Sequence, residues 1–119
     1  MNTKILGNKG EKIAVKLLKK EGYKIRETNF KVKTGEIDII AEKDKTIVFI
    51  EVKTRKKDSI FSYYSVNLEK QRKIERIAVE YLLKYNIKEF DIRFDVILIL
   101  GEKIKWIKNA YLMEGKIYY

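Results

Sequence analysis

Glu51, Val52 and Lys53 stand near the end of a stretch, Thr46 to Thr54, whose β-branched residues read as a strand. Side chains two apart on a strand share a face. Glu51 and Lys53 therefore project together, while Val48, Ile50 and Val52 point the other way. Asp38 lies on the preceding strand-like segment, Glu36 to Glu42, and Lys43-Asp44-Lys45 turns the chain between the two. A connection spanning Lys43 to Thr46 pairs Glu42 with Ile47 and, further along, Asp38 with Glu51, with Cβ atoms about 5 Å apart. Two carboxylates beside an ammonium suit phosphodiester hydrolysis. The acids can hold Mg²⁺, which acidifies water and offsets charge on the phosphate, and Lys53 can orient the attacking water or stabilise the transition state. The other reading of the same residues is a surface ion-pair ladder across a hairpin, worth little energetically. Neighbouring carboxylates repel unless a cation lies between them. Lys53 can be that cation, but a metal does the job better.

Composition narrows the chemistry. The 119-residue chain has no Cys and no His. Disulfides, thiolate zinc sites and a Cys nucleophile are excluded, and so is the commonest general base. A metal here must be held by oxygen, which favours Mg²⁺ or Mn²⁺. The net charge is +10, from 27 basic and 17 acidic residues. Such an excess favours a polyanionic partner, although a solvated Lys-rich surface gives the same count. Arg55, Lys56 and Lys57 directly follow the candidate site, and Lys70, Arg72, Lys73 and Arg76 fall on the polar side of a predicted helix. They can clamp phosphates in a salt-dependent way. Phe61, Tyr63 and Tyr64 can stack on unpaired bases, or simply anchor a loop or a dimer contact. No base-reading element is recognisable, so recognition through backbone or shape is expected.

The elements that must position these residues follow from periodicity. Ile13, Ala14, Leu17 and Leu18 recur at helical spacing and Gly22 stops the pattern, which predicts a helix over 3–21. Strands follow over Tyr23 to Val32, Glu36 to Glu42 and Thr46 to Thr54. Asn67 is a candidate N-cap for a second helix, in which Ile74, Ile77, Ala78, Tyr81, Leu82 and Tyr85 share a face. Two further strands, Asp91 to Leu100 and Lys103 to Ile107, come before an ambiguous tail from Asn109. The order is α-β-β-β-α-β-β, an α/β chain forming one domain over 1–119, with a mixed central sheet flanked by helices. The longest apolar run, Val96 to Leu100, is far short of a membrane span, and a soluble cytoplasmic protein is the expectation.

Several ordered motifs carry a family resemblance. They are Gly10-Glu11 with Ala14 and Leu18, Gly22-Tyr23, Asn29-Phe30, Gly35-Glu36-Ile37-Asp38, Val48 to Arg55, Lys70 with Arg72, and Arg93-Phe94-Asp95-Val96. With these the chain resembles the YraN family of endonuclease-like proteins and, more distantly, the archaeal Holliday-junction resolvases, both of the PD-(D/E)xK nuclease superfamily. The resemblance implies a restriction-endonuclease-like three-layer fold. It also implies Asp38 and Glu51 as metal ligands, Lys53 as the catalytic lysine and Glu11 as an auxiliary acid. Glu11 also suits the first turns of a helix as a dipole-favoured acid. DNA, including branched DNA, becomes the expected substrate and a homodimer an expected state. Ile37 replaces the proline of the superfamily motif, as is usual among YraN-like relatives. Glu75 stands four residues after Gln71, where RecB-type nucleases carry Tyr, so the chain departs from that exonuclease branch. Two other classes remain open at this point: a non-catalytic nucleic-acid-binding module with the same fold, and an interaction protein whose charge is incidental.

Overall fold

The structure, a computed structural model, describes residues 3–55 and 68–111. Its elements are α1 (Thr3–Lys20), β1 (Lys24–Val32), β2 (Gly35–Lys43), β3 (Thr46–Arg55), α2 (Leu68–Lys84), β4 (Asp91–Leu100) and β5 (Lys103–Ile107). They follow the expected order, and the strand limits fall within one residue of expectation. Lys56, Lys57, Phe61, Tyr63, Tyr64 and the N-cap candidate Asn67 lie outside the described residues.

Local chemistry explains the turns. Gly22 takes φ +87, and Tyr23 N–H donates to Leu18 O at 2.9 Å, closing α1 as a glycine C-cap does. Asp44 and Lys45 both have positive φ, the pattern of a two-residue hairpin turn whose twist matches its strands. That turn fixes the register at Lys43↔Thr46 and Glu42↔Ile47, as the loop length predicts.

The five strands lie in the order β1-β2-β3-β4-β5. Neighbouring pairs are antiparallel except β3 and β4, which run parallel in register from Thr46↔Asp91 to Arg55↔Leu100. A parallel pair needs a crossover, and α2 lies within it. The sheet separates two apolar clusters. Ile47, Phe49 and Phe94 pack with Ile74, Ile77, Ala78, Tyr81 and Leu82 of α2. Val48, Ile50, Ile97 and Ile99 pack with Ala14 and Leu18 of α1. The helices therefore cover opposite faces, and β3 and β4 are buried on both sides, which explains their near-continuous apolar sequence. Tyr85, expected on the buried stripe of α2, is instead 45% exposed; it follows the last turn of the helix and its ring rests on Tyr81, with centroids 4.9 Å apart. Among the described residues, no helix is long and apolar enough to cross a membrane.

Candidate metal centre and its pocket

Glu51 and Lys53 share the α2 side of β3, because Ile47 and Phe49 of the same alternation pack under α2. The β2–β3 ladder is paired as far as Ile39↔Ile50. One step further, the Asp38 carboxylate accepts the Val52 N–H at 2.8 Å. A side-chain oxygen thus binds the backbone of β3 where the two strands part. This clamps Asp38 against β3 through one of its two oxygens.

Gly10 brings a further acid close. A Cβ at this position would collide with Thr54 Oγ1, so only glycine lets α1 lie this near β3. Glu11 follows in the third turn of α1, too far from its start to be the dipole-favoured acid that the sequence also allowed. Its Oε2 accepts the Asn29 side-chain amide at 3.0 Å. Burial pushes the Asp38 carboxyl up to about 6. The Val52 N–H pulls against that rise, while the charges of Glu11, Glu51 and Glu36 add to it. Crowded, poorly hydrated acids of this kind gain from a cation.

Lys53 is only 5% exposed, so an exposed ion-pair ladder does not describe it. The reason is tertiary: parallel pairing with β4 makes β3 an interior strand. Burial lowers the Lys53 pKa from its ordinary value, the Glu51 charge opposes this, and Lys70 and Arg55 lower it further. Arg55 is half-buried and donates to Thr54 O at 2.9 Å.

A pocket of about 590 Å³ opens between β2, β3 and α2. Asp38, Glu36 and Glu51 line it on the sheet side, and Lys70, Lys73 and Arg76, with Glu69 beside them, on the helix side. The three basic positions are three apart, so they form one row. Arg72 is exposed and does not line this pocket. Gly35 lets α2 approach, since a Cβ there would come within 3.2 Å of Ile77 Cδ1. Lys70 Nζ lies 2.5 Å from Glu51 Oε1. Among the described residues, Glu51 Oε2 is buried without a hydrogen-bond partner.

Sequence reasoning missed some of the pocket. Tyr111 lines it, held by Ala110 N–H donating to Phe94 O at 2.8 Å and by stacking on Phe94 at 5.2 Å between centroids. Burial, then the charges of Glu51 and Glu75, hold its hydroxyl pKa above the ordinary value. No periodicity marks that contact, which joins two chain segments in space. A second groove, of about 480 Å³, runs between α1 and β1 and is lined by Glu11, Lys12, Lys16, Lys19 and Asn29. The spacing of its lysines along one face of the first helix was the available signal.

The donor set suits a hard cation. Carboxylate oxygens are the ligands such ions take, and Glu51 Oε2 is an oxygen without a partner among the described residues. Among the described residues, no three acidic side chains gather tightly enough to cage a metal. Mg²⁺ is commonly bound through one or two carboxylates, with waters and substrate phosphate completing its shell. Asp38 and Glu51 meet that smaller requirement.

Comparison with known proteins gives a consistent family. The model of uncharacterised protein family UPF0102 matches residues 10–99. A UPF0102 protein of Fusobacterium nucleatum is 46% identical over 110 residues, covering 92% of this chain and 92% of its own length. One from Thermodesulfovibrio yellowstonii is 47% identical, over 89% of this chain and 95% of its own. One from Clostridioides difficile is 44% identical, over 93% of this chain and 100% of its own.

Proposed function

The chain belongs to the uncharacterised protein family UPF0102, and from its acidic centre we propose that it is a Mg²⁺- or Mn²⁺-dependent nuclease of restriction-endonuclease-like fold, hydrolysing DNA phosphodiester bonds. The observation that carries this reading is the two-sided pocket. Asp38, Glu51 and Glu36 line one side, Glu51 with a buried oxygen unpartnered among the described residues, and a row of cations lines the other across a space open to substrate. A metal alone would need only the acids, and a phosphate alone only the cations. Both together fit a phosphodiester meeting a metal.

In this reading Asp38 and Glu51 hold the ion. When bound, the ion supplies positive charge against the phosphate and acidifies water. Val52 N–H keeps the Asp38 carboxylate in place. Lys53, beside Glu51, directs the attacking water or stabilises charge on the phosphate. Lys70, Lys73 and Arg76 hold the backbone, and Tyr111 keeps its proton and walls the pocket. Contacts of this kind give salt-sensitive binding with little base preference.

The test is a cleavage screen on linear, nicked, flapped and junction DNA with each metal. Metal-dependent cleavage should appear in the natural protein and fall at least about a hundredfold in Lys53→Ala, the scale for a lost transition-state donor. No cleavage of any substrate with either metal sinks the proposal.

One observation favours a second reading. Lys70 already occupies one side of Glu51, as in a site that holds its own cation and binds nucleic acid without cutting it. That reading expects Asp38→Ala, Glu51→Ala protein to bind DNA as before and to lose no metal-dependent activity.

A further inference from the structure

Asn29 has φ +51 in the middle of β1. Among the described residues, the other non-glycine residues with positive φ lie in connections between or after elements. Left-handed backbone is unfavourable for residues with a Cβ, although Asn tolerates it best. A bulge does not account for it. The β1–β2 register is unshifted around Asn29, running Thr28↔Ile39 and Phe30↔Ile37, and its irregularity lies between Ile25 and Glu27. Core packing does not account for it either, since Asn29 is exposed.

Two placements give the conformation a purpose. The bracketing pairs set Asn29 opposite Asp38. Its amide nitrogen donates to Glu11 Oε2 at 3.0 Å. Asn29 therefore links α1 to the point on β2 that carries the candidate metal ligand. We propose that Asn29 is a positioning residue of the acidic centre, whose left-handed backbone aims its amide at Glu11 and holds that carboxylate where its charge strengthens cation binding at Asp38. The inference rests on the metal-site reading above. Glu11 acts through its field rather than as a required direct ligand, consistent with the lack of a three-acid cage among the described residues. Backbone strain that packing does not explain is a recognised mark of functional sites.

The experiment is calorimetric titration with Mn²⁺ alone, together with thermal melting. It compares the natural chain, Asn29→Gly, Glu11→Ala and the double variant. Glycine adopts φ +51 freely, so Asn29→Gly should melt at or above the natural temperature. It should nevertheless bind Mn²⁺ about tenfold more weakly, the lower end of the cost of losing an outer-shell partner. If Asn29 acts through Glu11, the double variant binds no more weakly than Glu11→Ala alone. Affinity of Asn29→Gly within about twofold of the natural chain overturns the proposal, as does full additivity in the double variant. Loss of fold in Asn29→Gly also overturns it, because Asn29 would then be structural. A natural chain that binds no Mn²⁺ overturns the metal site and this inference together. A natural chain that binds while Asn29→Gly binds equally overturns this inference alone.

Discussion

Asp95 and Glu51 are one step apart in the β3–β4 register, where Ile50 pairs with Asp95 and Glu51 with Val96. They point to opposite faces of the sheet and have opposite surroundings. On the α1 side, Asp95 is 1% exposed and accepts four hydrogen bonds. Arg93 donates through Nε and Nη2 at 2.9 Å each, Trp106 Nε1 at 2.8 Å and Asn109 N–H at 3.0 Å. Arg93 also donates to the Tyr23 hydroxyl at 2.8 Å. Burial works against the Arg93 charge, but Asp95 and Tyr23 outweigh it and hold the guanidinium pKa above its ordinary value. On the α2 side, Glu51 has one oxygen on a half-exposed Lys70 and, among the described residues, no partner for the other. Asp38 receives one backbone N–H and is pressed by three other acids. A buried carboxylate whose lone pairs are filled from within the protein braces the fold. One left unfilled and crowded by its own sign has capacity for something from outside.

The largest expected effect tests the brace. Asp95→Ala leaves Arg93 in a half-buried place without its counter-charge. It should lower unfolding free energy by about 3–5 kcal/mol in denaturant titration. A loss below about 1 kcal/mol would show that the hub is not structural.

Asp38→Asn should have the opposite sign. The folded Asp38 pKa, about 6, lies above its ordinary 3.8, so the folded state binds more protons between those values. Metal-free stability should therefore fall as pH rises from about 4 to 6, by roughly 2–3 kcal/mol in all. Asn keeps an oxygen for the Val52 N–H and carries no charge, so this fall should be absent in the variant. Denaturation series at pH 4 and pH 7 read the difference, and parallel pH profiles of the two proteins would remove Asp38 as a strained acid. Mg²⁺ binding favours the ionised carboxylate, so affinity in the natural chain should rise through pH 6.

The smallest effect concerns Lys70. Its pair with Glu51 is 48% exposed on the lysine side, and such pairs contribute at most about 1 kcal/mol. Lys70→Ala should barely change the melting temperature. By removing a competing cation it should raise Mn²⁺ affinity by up to about fivefold. Weaker Mn²⁺ binding would instead show that Lys70 holds Glu51 for the metal rather than competing with it.

Much of this contrast is visible in the linear chain on one side only. Strand alternation put Glu51 and Lys53 on one face, and the two-residue turn at Asp44-Lys45 fixed the register that brings Asp38 toward them. Both are local rules, set by pleat and turn geometry within about fifteen residues. Nothing similar marked Asp95 as a brace, because its donors come from Arg93, Trp106 and the Asn109 backbone after two strands have paired. Tyr111 and the Lys70–Glu51 pair depend likewise on how Phe94 and α2 dock against the sheet.

By itself, then, the sequence determined the order of elements, the β2–β3 register and the hard-oxygen character of any metal site, since Cys and His are absent and a hairpin needs no distant partner. Only the tertiary structure decided that Lys53 is buried, that Asp38 turns its carboxylate onto Val52, and which carboxylate is satisfied and which is left open. Burial and hydrogen-bond supply at each carboxylate depend on segments far apart in the chain, and those are fixed only when the sheet closes between its two helices.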